Sequence, residues 1–285
     1  MPSPLSPIGV FDSGIGGMSV LKTLQQVLPE EHFIYLADNG YAPYGERGDA
    51  FVQQRSTHIT HWMCAQHDIK ALVIACNTAT AAAIERLRLT YPHIPIIGVE
   101  PAVKPAALHS QTHVVGIMAT HGTVHSTRLA ALLNIHATHT QFVLQACNGL
   151  AQAIEDSTSI CASEAEAAEQ RIQTLCSQYT TAMGTFGLKA GNIDTLVLGC
   201  THYIFATDVL RPLVGPDVTL IDTSLPVARH TQRRLQATSM LRNKQTLSDS
   251  AACQLFTTGD LASLQRAAKR WLQLNDRNCT SVQIP

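Results

Sequence analysis

Leu72-Val73-Ile74-Ala75-Cys76-Asn77-Thr78 is an apolar run that ends in a small residue, a cysteine and a polar pair, and Leu196-Val197-Leu198-Gly199-Cys200-Thr201-His202 repeats that order. A continuous apolar run of this length is what a strand covered on both faces requires, as in a parallel sheet. A helix is expected after each cysteine. A second echo precedes each of these runs: Gly9-Val10-Phe11-Asp12-Ser13-Gly14 and Gly116-Ile117-Met118-Ala119-Thr120-His121-Gly122 are both strands that end in a polar, glycine-containing loop. Loop element, then cysteine element, occurs twice. That arrangement suits two related α/β domains facing each other across a cleft.

Outward from these runs, short β-rich segments alternate with helical ones, the pattern of parallel α/β layers. Strands are expected at Ile8–Phe11, Phe33–Ala37, Ala71–Ala75, Ile96–Val99, Val114–Met118, Phe142–Leu144, Thr195–Leu198, Val218–Ile221 and Gln254–Thr257. Helices are expected at Met18–Leu28, Asp49–His67, Ala79–Leu89, Thr123–Leu133, Ala162–Ala182, Val227–Leu235 and Leu261–Leu272, with the final dozen residues frayed. The expected division is 1–100 with 211–285 as the first domain and 101–210 as the second.

Composition narrows the class. The 285 residues are 45% hydrophobic and 14% charged with a formal net charge of −1, which excludes disorder and a strongly basic nucleic-acid footprint. No apolar run reaches the roughly 18 residues of a membrane span. Met1-Pro2-Ser3-Pro4-Leu5-Ser6-Pro7 lacks the basic and apolar regions of a signal peptide, so a cytoplasmic protein without membrane or nucleic-acid partners is expected. Eight cysteines (Cys64, Cys76, Cys147, Cys161, Cys176, Cys200, Cys253 and Cys279) include no C-x-x-C pair, which speaks against a disulfide framework or a zinc site.

Ligands of open parallel sheets bind beyond the carboxyl ends of the strands, and the chemistry-bearing residues fall there. A helix N-terminus favours thiolate over thiol, so Cys76 and Cys200 are candidate acid–bases, against the plainer reading of small buried residues at tight turns. Asn77, Thr78, Thr201 and His202 add hydrogen-bonding groups. Asp12-Ser13-Gly14-Ile15-Gly16-Gly17 is glycine-rich but has neither G-x-G-x-x-G nor a G-K-[ST] ending. Asp12 would repel phosphate, and reads better as facing an ammonium group or a catalytic proton. Pro43-Tyr44-Gly45 is a rigid turn whose N–H groups can clamp a small anion, or an ordinary surface turn. His58, His61 and His67 read as a solvated helix face. His121 and His125 have i, i+4 spacing with no third ligand in evidence, so no metal is expected.

Together, Phe11-Asp12-Ser13-Gly14-Ile15-Gly16-Gly17, Pro43-Tyr44-Gly45, Ala75-Cys76-Asn77-Thr78-Ala79 and Gly199-Cys200-Thr201-His202-Tyr203 resemble the cofactor-independent aspartate/glutamate racemases, glutamate racemase in particular, over Ile8 to Asp222. The resemblance implies two similar parallel-sheet α/β domains in a pseudo-twofold relation with a substrate cleft between them. It implies a two-base reaction without pyridoxal phosphate or metal, supplying D-glutamate for peptidoglycan. Cys76 would deprotonate D-glutamate, assisted by Asp12, and Cys200 would deprotonate L-glutamate, assisted by His202. Glu155, in the segment after Cys147, is a further catalytic candidate. Ser13, Tyr44, Gly45, Asn77, Thr78, Thr123 and Thr201 would hold the substrate with Asp12 and His202. A homodimer and a cell-wall-precursor activator accompany the resemblance, though no residue assigns either. Ile204 and Asn148 stand where the family usually has proline, which affects loop geometry and removes no catalytic group.

Two other functions compete. An aspartate or other acidic amino-acid racemase would use the same scaffold, and one methylene is worth only about 1–3 kcal/mol of discrimination. A catalytically silent binding protein would have no need of both cysteines and their polar partners. A thiol oxidoreductase is disfavoured by the absence of C-x-x-C.

Overall fold

Runs with no polar side become strands buried on both faces. The computed structural model describes residues 2–159, 165–243 and 253–285. In chain order it opens with β1 (Ile8–Asp12), α1 (Met18–Val27), β2 (Phe33–Ala37), α2 (Asp49–His67), β3 (Ala71–Ile74), α3 (Asn77–Thr90) and β4 (Ile96–Gly98). Next come α4 (Val103–His109), β5 (Val114–Ala119), α5 (His121–Val124), α6 (Thr127–Asn134), β6 (Gln141–Ala146), α7 (Leu150–Ser159), α8 (Ala165–Met183), β7 (Thr195–Gly199), α9 (Thr207–Val214) and β8 (Thr219–Ile221). The chain closes with α10 (Ser224–Ala237), β9 (Cys253–Thr257), α11 (Leu261–Ala267) and β10 (Cys279–Ser281). Cys161 and the expected helix start at Ala162 lie outside the described residues.

The stretch up to Val99 together with Ser224–Pro285 forms one compact unit, and Glu100–Thr223 forms the other. The first holds a sheet of order β10-β9-β2-β1-β3-β4 and the second a sheet of order β6-β5-β7-β8, with every pairing parallel. The spatial order β2-β1-β3-β4 is thus repeated as β6-β5-β7-β8, which is the architectural content of the sequence echo. Phe11 lies opposite Ile74, and Ala119 lies opposite both Ala146 and Gly199. The loops leaving neighbouring strands therefore start side by side.

Alternate strand residues feed separate cores. In the first unit Val10, Tyr35 and Val73 pack with α1, α10 and α11, while Phe11, Leu36 and Ile74 pack with α2 and α3. In the second, Met118, Leu196 and Leu198 face α7 to α9, whereas Val115, Ile117 and Val197 face α4 and α6. Each such aliphatic side chain stabilises by about 1.5–3 kcal/mol when fully buried.

Several expectations need correction. The helix expected over Thr123–Leu133 is two, because the Ser126 hydroxyl accepts the Leu129 N–H at 3.1 Å and starts α6 afresh. Helices α4 and α7 were not anticipated. The return to the first unit comes at Ser224 and not at 211, since β8 pairs with β7. The final residues are not frayed: β10 pairs with β9, and Ile284 is buried. Among the described residues, no helix is long and apolar enough to cross a membrane.

Candidate active site

Strand β1 delivers Asp12 to a tight loop. The Asp12 carboxylate accepts the Ser13 N–H at 2.7 Å and the Gly17 N–H at 2.5 Å. A Cβ on Gly17 would stand 2.7 Å from the Asp12 Cβ, so this glycine lets the loop fold back onto the acid. Neighbouring β3 delivers Cys76 to the N-cap of α3, where the Ala79 N–H donates to its Sγ at 3.4 Å. The thiol in turn donates toward the Ser13 hydroxyl at 3.8 Å. The helix start and its free N–H groups favour negative charge at this sulfur. Asn77 sits in the first turn, 5% exposed, with both amide atoms buried and no hydrogen-bond partner among the described residues. A buried unsatisfied amide costs about 1–3 kcal/mol, and a ligand able to bond it removes that cost. Thr78 is buried beside it.

Tyr44 and Gly45 lie in the short 3₁₀ turn Tyr44–Glu46, which packs on α3. Tyr44 is buried and donates to Asp38 at 2.5 Å. Burial, then the Asp38 carboxylate, hold its phenol far above the ordinary range, so it stays a donor.

In the second unit β7 delivers Cys200. A Cβ on Gly199 would meet the Met118 carbonyl at 2.9 Å, so a side chain here would collide with backbone. The chain does not enter an α-helix directly after Cys200; it forms the 3₁₀ segment Tyr203–Ala206, which runs into α9. The helix-dipole argument is therefore weaker at this cysteine than at Cys76. Side chains take its place. Cys200 Sγ lies 3.9 Å from His202 Nδ1, and His202 Nε2 lies 2.6 Å from Glu155 Oε2, supplied by α7. Burial alone would push the imidazole down. The hydrogen bonds and negative charge of Cys200 and Glu155 outweigh it and hold His202 well above the usual histidine value. Thr123 and Thr201 are buried, and the Thr120 hydroxyl donates to that of Thr123 at 3.0 Å.

Other residues singled out in the sequence are structural. Burial pushes the Cys147 thiol up, and its S–H points to the Gln145 carbonyl at 3.5 Å. Asn148 accepts a hydrogen bond from the Tyr179 hydroxyl at 2.6 Å through its carbonyl. His67 is not on a solvated face; its ring packs 4.8 Å from Trp62 and 5.1 Å from Phe256. His121 and His125 are exposed and stacked. Among the described residues no three histidines, cysteines or acids gather where they could hold a metal ion. Asp38 and Arg55 were missed as site neighbours. Their signal was a lone arginine on the apolar side of α2, three residues beyond buried Val52.

The sequence model of the Asp/Glu/hydantoin racemases matches residues 8–231, spanning both strand-end cysteines. The chain belongs to this racemase family. It is 43% identical to the glutamate racemase of Ectopseudomonas mendocina over 91% of this chain and 92% of that protein. Among solved structures, the glutamate racemase isoform RacE1 of Bacillus anthracis covers 98% of each chain at 31% identity and a TM-score of 0.80. The Escherichia coli glutamate racemase, solved with L-glutamate and the activator UDP-MurNAc-Ala, covers 98% of this chain and 99% of its own at 25% identity and a TM-score of 0.80. Cys76 after β3 and Cys200 after β7 take corresponding places in the two sheets, each at the carboxyl end of a strand that pairs with the strand bearing the preceding loop.

Proposed function

We infer that this chain interconverts L-glutamate and D-glutamate, an isomerase activity that supplies D-glutamate for peptidoglycan. The observation that carries this reading is the pair Cys76 and Cys200, past the ends of β3 and β7 at corresponding places in the repeated strand order, each backed by its own polar partners. Racemisation needs a base on one side of Cα and an acid on the other, and two thiols provide that without any difference in kind.

In the proposed mechanism the Cys200 thiolate takes the α-proton of L-glutamate and the Cys76 thiol gives its proton to the opposite face of Cα. D-glutamate then leaves with Cys200 as thiol and Cys76 as thiolate, ready for the reverse passage. His202, held by Glu155, assists proton movement at Cys200, and Asp12 does so at Cys76 through the Ser13 loop. Ser13, Tyr44, Gly45, Asn77, Thr78, Thr123 and Thr201 hold the substrate. The α-proton of an amino acid is weakly acidic, so preorganised donors must stabilise the developing carbanion; the N–H groups at the start of α3 and the Asn77 amide suit that task. Aspartate is the weaker candidate substrate because the relatives at 43% and 31% identity are glutamate racemases.

The test is incubation with L-glutamate in D2O, following optical rotation and deuterium at Cα together, with and without a UDP-linked cell-wall precursor. Loss of rotation with one solvent deuterium per racemised molecule supports the reading. Rotation unchanged under both conditions, with exchange seen only for aspartate, would overturn the substrate assignment.

A further inference from the structure

Asp38 is fully buried at the end of β2, and its carboxylate is saturated. Oδ2 accepts from the Tyr44 hydroxyl at 2.5 Å and from Arg55 Nε at 3.1 Å, while Oδ1 accepts from Arg55 Nη2 at 2.8 Å and the Thr258 hydroxyl at 2.9 Å. A two-pronged guanidinium–carboxylate pair of this kind fixes direction as well as distance. The remaining prong of Arg55 points elsewhere: Nη1 donates to the carbonyls of Ile284 at 2.9 Å and Pro285 at 2.8 Å. The guanidinium also lies 3.5 Å from the centre of the Tyr41 ring.

The segment that receives Arg55 is itself anchored. The Val282 N–H donates to the Thr257 carbonyl at 2.8 Å, continuing the line of β10 alongside β9. Ile284 is buried in the same apolar cluster as Tyr44 and Cys76. His58 Nδ1 meets the Pro285 carbonyl as well. An unbroken chain of buried polar contacts therefore runs from residues 282–285 through Arg55 and Asp38 to the Tyr44 hydroxyl. It stops at the turn beside α3, whose N-cap is Cys76.

We propose that residues 282–285 form an internal strap that, through Arg55 and Asp38 as positioning residues, holds the Tyr44–Gly45 turn where it binds glutamate. This rests on the assignment of Tyr44 and Gly45 to substrate binding under the proposed function. The strap acts on binding geometry and leaves proton transfer to the cysteines, so its loss raises KM more than it lowers kcat.

The experiment measures KM and kcat in both directions for the full chain, Arg55→Lys, Tyr44→Phe and the double variant. Lysine keeps the charge but cannot span Asp38 and the two carbonyls at once. Arg55→Lys raises KM about tenfold with kcat within about twofold, as expected for misplacement of a binding turn. The double variant is no worse than Tyr44→Phe alone, because both changes cut one chain. A chain lacking Ile284 and Pro285 leaves the Asp38 pair intact and keeps the test alive should Arg55→Lys not fold; its KM rises about threefold, again by misplacement. Wild-type KM in Arg55→Lys and in the shortened chain overturns the strap, as do losses that multiply in the double variant. Tyr44→Phe with unchanged KM and kcat also overturns the strap, since it removes the hydroxyl that joins the turn to Asp38; the reading of the site fails separately, if the wild-type chain does not racemise glutamate.

Discussion

Asn77, proposed above to hold substrate, differs from a residue that only supports the fold. Its amide is buried without a partner among the described residues, which destabilises the free protein by about 1–3 kcal/mol. Asn77→Ala is therefore expected to leave the melting temperature unchanged or raise it, while KM for glutamate climbs at least about tenfold; thermal melts and initial rates on one preparation check both. The cysteines behave differently. Cys76→Ala and Cys200→Ala should each slow racemisation by about 10²–10⁴-fold, the usual worth of a positioned proton-transfer group, with circular dichroism unaltered; full activity in either sinks the two-base assignment. Asp12→Asn and His202→Asn are expected to change kcat for the two enantiomers unequally. Because the enantiomers have equal free energy, KM must shift in step so that kcat/KM stays the same in both directions. Equal kcat losses in both directions, in both variants, would count against separate roles.

At the level of elements, α7 serves the second cysteine by placing Glu155 against His202. His202 titrates higher folded than unfolded, so the pair stabilises the fold fully below the unfolded value of about 6.5, and that stabilisation is lost as pH rises through the raised folded value. Glu155→Gln should lower the His202 titration midpoint in an NMR experiment and cost about 1.5–3 kcal/mol near pH 6, the worth of a charged hydrogen bond. An unmoved midpoint would show that Glu155 does not set the charge of the imidazole. The strands were legible in sequence because runs such as Leu72–Ile74 and Leu196–Leu198 have no polar side. Their motifs came with them, since Cys76 and Cys200 sit one or two residues past the strand ends. Helix α7 was overlooked although Leu150, Ala153 and Ile154 fall at helical spacing, because the run is short and its second half, from Glu155 to Ser159, is wholly polar. Strand β10 was missed for a related reason: Cys279-Thr280-Ser281 is short and polar, and only pairing with β9 makes it a strand. The partner that turns His202 into more than a polar neighbour, Glu155, is distant in sequence and needed the fold to bring it close.

In the larger of the two sheets, a buried ion pair and the proposed proton-transfer cysteine lie at opposite ends of one strand. At the amino end of β3, Lys70 is buried 2.5 Å from Glu31 and donates to the Pro4 carbonyl at 2.6 Å, whereas Cys76 stands past the carboxyl end of that strand. Lys70→Met strands a buried carboxylate and should cost about 3–5 kcal/mol with kcat/KM close to wild type; an equal loss of activity in the folded variant would show that the two ends are coupled. The chain leaves the first unit at Val99 and returns at Ser224, and this crossing bears on biosynthesis. During translation β1 to β4 emerge first, yet the strands that cover the β2 edge, β9 and β10, are made only after the whole second unit. At about 5–20 residues per second that interval lasts roughly 8 to 30 seconds. The second unit can thus complete its sheet on the ribosome while the first waits with an open edge, and the neighbourhood of Cys76 is finished only when the strands after α10 arrive to dock.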